Sequence, residues 1–177
     1  SDVCSSDLRS NLTWDDDTVA PLYQIRNWAR SVGAHIKVAE LLTLVGIKHH
    51  ELEPSQWKWK GRIVYRGDQV RDQDNNLLLF DQTATTPTSL IALNAAIWYA
   101  CRKGHAASCS DAIQAFLQSE LDDSDLTYVI IPVELWLDEW HTRFDPGTRL
   151  AVRLKKSLYG HPKAGRWWQD HLDRRLR

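Results

Sequence analysis

One run of five residues, Thr-Tyr-Val-Ile-Ile at 127–131, constrains this chain more than any other stretch. Each of its side chains is β-branched or aromatic, which suits a pleated strand, and Pro132 removes the amide that would continue the ladder. So short a run, with no polar alternation, reads as a strand buried in a layered sheet. Thr-Arg-Leu-Ala-Val-Arg-Leu at 148–154 reads as a second strand. A third lies within WKWKGRIVYRGDQVRDQ, residues 57–73, where basic and apolar residues alternate. Gly67 ends it, and the polar stretch to Asn76 reads as a loop. Alternation places Lys60, Arg62 and Arg66 on one face of that strand, with Ile63 and Tyr65 on the other.

Helical patterns separate these runs. The chain turns helical from Pro21, and Val38, Leu41, Leu42 and Val45 recur at i, i+3, i+4, i+7, with Gly46 as the stop. Thr86 as N-cap and Pro87 at the first helical position predict a helix striped by Leu90, Leu93, Ile97 and Cys101, closed by Gly104. A short strand, His-Ala-Ala-Ser-Cys at 105–109, leads to Asp111 and a further helix with Ala112, Ala115 and Phe116 on one side. The last helix runs from about Pro162, with Ala164, Trp168, Leu172 and Leu176 on one face. Residues 9–20 read as polar and without regular structure, and residues 122–146 as acidic and loop-rich. The order of elements indicates an α+β or α/β layer.

A length of 177 residues suits one domain, or a domain and a half, and can bury a real core. Nine tryptophans and no methionine are unusual, and the lack of even an initiator methionine leads to the expectation of a fragment of a longer product. A net charge of -1 argues against a uniformly basic nucleic-acid binder. The charge is uneven, however. Residues 149–177 hold nine Lys and Arg against two Asp, and the remainder holds thirteen basic residues against twenty-one acidic ones. Such a basic end suits either a phosphate-facing surface or a solvated cationic helix. Cys4, Cys101 and Cys109 have neither metal-ligand spacing nor the count of a disulfide framework, so a reducing interior is expected. No stretch approaches the roughly 18 consecutive apolar residues of a membrane span, and no secretory signal pattern is visible. The opening SDVCSSDL fits nothing around it and looks like a translated sequencing adapter. Residues 1–8 are therefore set aside as a scar, 9–34 form a polar and helical lead-in, and 35–177 form the domain proper.

Asp111 is the candidate catalytic residue. A carboxylate between a strand and a helix can serve chemistry, or it can simply cap the helix amides. Three segments bear on the choice. KGRIVYRG (60–67), SDAIQAFLQSEL (110–121) with TYVIIPVELW (127–136), and VRLKKSLYGHPKAGRWW (152–168) occur in this order. Together they resemble the reverse transcriptase of copia-type retrotransposons over residues 35–177. The resemblance implies the fingers and palm of a right-handed polymerase, with an antiparallel sheet packed with helices.

It also implies roles. Asp111 matches the first metal-binding aspartate and Ala112 the position whose backbone carbonyl assists. Magnesium or manganese, both served by hard oxygen donors, would be the cofactor, with two ions about 4 Å apart in the complete enzyme. Phe116 matches the aromatic under the sugar of the incoming deoxynucleotide, although it also suits a core position. Lys60, Arg62 and Arg66 match nucleotide-binding cations of the fingers, although charge along a strand also blunts a sheet edge. Tyr159, Gly160, Lys163 and Arg166 match the template-binding turn, with Gly160 allowing a close approach. His161, Pro162 and Lys163 depart from the leucine-lysine-glutamine common there, and His161 reads as a turn residue. The expected partners are an RNA or DNA template-primer, deoxynucleoside triphosphates and the rest of a polyprotein. The expected location is intracellular, in a cytoplasmic virus-like particle or the nucleus. The paired aspartates that complete the metal site are expected beyond Arg177, so the isolated chain is expected to be inactive. Two other readings stay open: a non-enzymatic or decayed nucleic-acid-binding element with stacking tryptophans, and a structural interaction domain.

Overall fold

The computed structural model describes residues 8–80 and 88–177. Its centre is a five-stranded sheet of β1 (Trp14–Pro21), β2 (Lys37–Lys48), β3 (Lys58–Tyr65), β4 (Thr127–Ile130) and β5 (Leu150–Leu154), in the order β1-β5-β4-β2-β3. β1 with β5, β5 with β4, and β2 with β3 pair antiparallel. β2 and β4 are parallel, with Lys37 opposite Thr127 and Glu40 opposite Ile130. The fold is thus α+β with a mixed sheet, which corrects the expectation of an antiparallel one.

Strand alternation divides the core between the two faces of the sheet. Ala39, Leu41, Val129, Leu150, Val152 and Leu154 point to one side, where Trp14, Tyr65, Leu117, Trp136, Trp140 and Leu158 join them. Val38, Tyr128 and Ala151 point to the other, beneath α1 (Leu22–Val32). Leu22, Ile25 and Ala29 make the buried stripe of α1, and each buried Leu or Ile contributes about 2 kcal/mol by leaving water. Gly33 ends α1 in the left-handed conformation, φ 67°, which costs a glycine little. Because both faces of the sheet centre are covered, β4 carries no polar alternation.

Three further helices follow: α2 (Leu90–Ala100), α3 (Asp138–Arg143) and α4 (Ala164–Leu176). α2 begins at Ser89, whose hydroxyl accepts from the Ala92 amide at 3.1 Å. Thr86 and Pro87, expected to start this helix, lie outside the described residues. None of its residues is buried; Ile91 is 82% exposed.

Several expectations are corrected. The helix expected around Val38–Val45 is β2. Its apolar residues occupy both odd and even positions, so a helical stripe can be picked out of a strand, and pairing with β3 and β4 decides the outcome. Residues 14–20, expected to be irregular, belong to the acidic edge strand β1. Its charge is matched from β5's continuation, Lys155 Nζ standing 2.7 Å from Asp15, while Trp14 is buried. Leu8, at the end of the stretch set aside as a scar, is buried in the main core. Residues 105–112 form neither the expected strand nor a helix start; they are exposed and irregular up to a single 3-10 turn at Ala115–Gln118.

Candidate functional site

The turn after β5 is where three distant stretches of chain meet. The amide of Tyr65, at the end of β3, donates to the carbonyl of Tyr159 at 2.7 Å. Gly160 has φ 87°, and a Cβ on it would strike the carbonyl oxygen of Tyr65. A Cβ on Gly67 would in turn strike the Gly160 carbonyl oxygen. Two glycines thus let the turn and the end of β3 cross in backbone contact. On the other side, the Ser157 amide donates to the Ser119 carbonyl and the Leu121 amide to the Lys155 carbonyl, both at 2.8 Å. That pairing sets the half-buried ring of Phe116 edge-on against Tyr159, centroids 4.8 Å apart and planes at 69°. Edge-to-face contact is a favoured arrangement of aromatic rings.

His161 lies under this turn and is 4% exposed. Its Nδ1 accepts the Lys163 amide at 3.1 Å, and its ring stacks on Trp167 at 4.5 Å and tilts against Tyr65 at 4.7 Å. Burial pushes its pKa down to about 3; Asp125 works against this, and Lys37 and Lys163 with it. The ring is therefore neutral, with its proton on Nε2, because Nδ1 is an acceptor. Nε2 and the hydroxyl of buried Tyr65 both lack a hydrogen-bond partner among the described residues. Burial, with the charge of Asp125, also holds the Tyr65 phenol well above its ordinary range. Asp125 itself is raised by burial, but hydrogen bonds from Lys37 Nζ (2.7 Å) and Thr127 Oγ1 (2.6 Å) more than offset that, and its pKa falls. Nothing in the spacing of Tyr65, Asp125 and His161 signals that they share one interior. The apolar neighbours of His161 and the aromatic at the end of a basic strand are the only local hints.

The turn gathers Phe116, Tyr159 and Gly160, and Arg66 follows Tyr65 directly. Arg66 is held by Glu40 and Asp68, each at 3.6 Å, and its amide donates to the Glu40 carbonyl at 3.0 Å. Lys163 precedes α4, and exposed Arg166 faces Asp170 one turn on at 3.8 Å. Exposed Lys60 and Arg62 pair with Gly46 and Leu44 on the outer β2–β3 ribbon. At about 3.3 Å per residue, Lys60 is about 17 Å along the strand from Tyr65. Ile63 and Tyr65 are buried opposite them, as alternation requires.

Asp111 and Ala112 are exposed in the irregular stretch before the 3-10 turn. The Asp111 carboxylate has no hydrogen-bond or ion-pair partner among the described residues, and it caps no helix. A carboxylate and a neighbouring carbonyl are suitable oxygen donors for magnesium. They are too few, however, and among the described residues no group of three His, Cys, Asp or Glu could hold a metal ion.

No family model, no curated protein and no solved structure matches this chain.

Proposed function

We propose that the chain is part of an RNA-directed DNA polymerase of the copia retrotransposon type, its fingers and the first portion of its palm. The observation that carries this reading is the convergence at Gly160. The three segments of the resemblance are separated in sequence, yet the ends of the first and third cross there, and Phe116 of the second rests on Tyr159 of the third. In this reading the Phe116–Tyr159 pair forms a floor for the sugar and base of an incoming deoxynucleotide. The bulk of Phe116 opposes a 2′-hydroxyl, and the basic face of β3 faces the triphosphate. Asp111 would contribute one ligand to a metal centre whose other acids are not among the described residues, so nucleotidyl transfer is not expected of the chain alone. Template-primer and deoxynucleoside triphosphates are the proposed ligands.

The exposed, unaccompanied position of Asp111 favours one competing reading, a non-enzymatic nucleic-acid-binding element. Binding of deoxy- and ribonucleoside triphosphates to the chain, with an RNA–DNA template-primer present, separates the two. The polymerase reading expects a preference for the deoxy form that Phe116→Ala abolishes. Equal binding of both forms by the unmodified chain would reject it.

A further inference from the structure

Three arginines from separate parts of the fold line one cleft. Arg26 on α1, Arg71 after β3 and Arg149 just before β5 border a cavity of about 310 Å³ between α1 and the sheet. Glu40 is the one carboxylate among the described residues lining it. Both of its oxygens are engaged, Oε1 by Arg149 at 2.6 Å and Oε2 by Arg66 at 3.6 Å. Asn75 orients two of the guanidinium groups: its side-chain oxygen accepts from Arg26 and its carbonyl from Arg71, each at 2.9 Å. Arg26 Nε is buried and has no acceptor among the described residues. Arg26 and Arg149 also wall a neighbouring cavity of about 500 Å³, which Arg30 lines as well.

This arrangement leaves a buried donor unmet among crowded like charges. Burial and the nearby charges of Arg149, Arg30 and Arg71 hold the Arg26 guanidinium below its ordinary pKa, with Asp72 opposing. An anion entering the cleft would relieve the repulsion. The planar forks of arginine match the oxygens of a phosphoryl group in particular. We propose that this cleft binds a phosphoryl group through Arg26, Arg71 and Arg149. None of the three belongs to the segments that carry the polymerase reading, so the inference does not depend on that reading.

The test is calorimetric titration with two probes, inorganic pyrophosphate and a short single-stranded oligodeoxynucleotide without terminal phosphates. Pyrophosphate is expected to bind saturably. Arg26→Gln or Arg71→Gln should weaken it by about tenfold or more, the loss of one charged hydrogen bond. Glu40→Gln should tighten it by freeing Arg149, a change that misfolding cannot imitate. Arg174→Gln on α4 should leave it unchanged. If the oligonucleotide binds with the same dependence on Arg26, the site accepts backbone phosphodiesters; if only pyrophosphate binds, it takes terminal phosphoryl groups. No saturable binding of either probe, or equal binding with Arg26 and Arg71 each replaced, would overturn the proposal.

Discussion

Tyr65 and Gly160 touch through their backbones: the carbonyl oxygen of Tyr65 occupies the space that any side chain at 160 would need. This contact ties the end of β3 to the turn after β5. It also gives Gly160 a purpose within the fold.

Gly160→Ala is therefore expected to destabilise the protein by about 3 kcal/mol or more, since it adds a backbone clash to an unfavourable φ of 87°. Gly67→Ala should do similar damage by striking the Gly160 carbonyl. Gly33→Ala, with a positive φ but open space, should cost only about 1 kcal/mol. Urea unfolding of the three variants gives the order directly.

His161 sets a pH dependence. Its folded pKa, about 3, lies below the ordinary 6.5, so the fold favours the neutral ring. Its contribution to stability is complete above pH 6.5 and is lost as pH falls from there toward 3. The limiting slope for one proton is about 1.4 kcal/mol per pH unit. Asp125 has a lowered pKa and acts in the same direction, but only below its ordinary 3.8. Unfolding midpoints between pH 7 and pH 4.5 should fall in the unmodified chain and fall less in His161→Gln. Identical profiles would show that His161 is not the titrating group.

Tyr65→Phe removes a buried hydroxyl that has no partner among the described residues and keeps the ring against His161. Removal of an unsatisfied polar group of this kind should be neutral or stabilising by about 1 kcal/mol. A lowered melting temperature would reveal a hydrogen bond to that hydroxyl, for example through bound water.

Primer extension on an RNA template should yield no product with the 177-residue chain, with either magnesium or manganese. Asp111 and the Ala112 carbonyl leave most coordination positions to other donors, and no cluster of described residues supplies them. Template-dependent synthesis would show that acids elsewhere in the chain assemble on the template.

Legibility in the sequence followed locality. β3, β4, β5 and α4 were readable because each has its own local pattern, with Pro132 and Gly67 as terminators, whereas for α1 only the start near Pro21 was legible. β2 was not, since KVAELLTLVGIK satisfies the helical and the extended template alike, and only partners distant in sequence choose between them. β1 was hidden by Asp15, Asp16 and Asp17, whose cost at a sheet edge is offset by the basic chain that follows β5. At the site, Phe116, Tyr159 and Gly160 could be picked out, but their meeting could not. The burial of His161 and of the Tyr65 hydroxyl and the arginine cleft arise from tertiary packing and leave no spacing to read.

The two pairings of β2 differ greatly in reach, and this bears on how the molecule assembles during synthesis. Its hairpin with β3 closes within one short stretch of chain, whereas Lys37 meets Thr127 about ninety residues later. Closing so long a loop costs more entropy and is slower than zipping a hairpin. A nascent chain leaving the ribosome can therefore form the β2–β3 ribbon early. It must wait for β4 before the middle of the sheet has anything to pair with, and until then the inner edge of β2 is open to wrong partners.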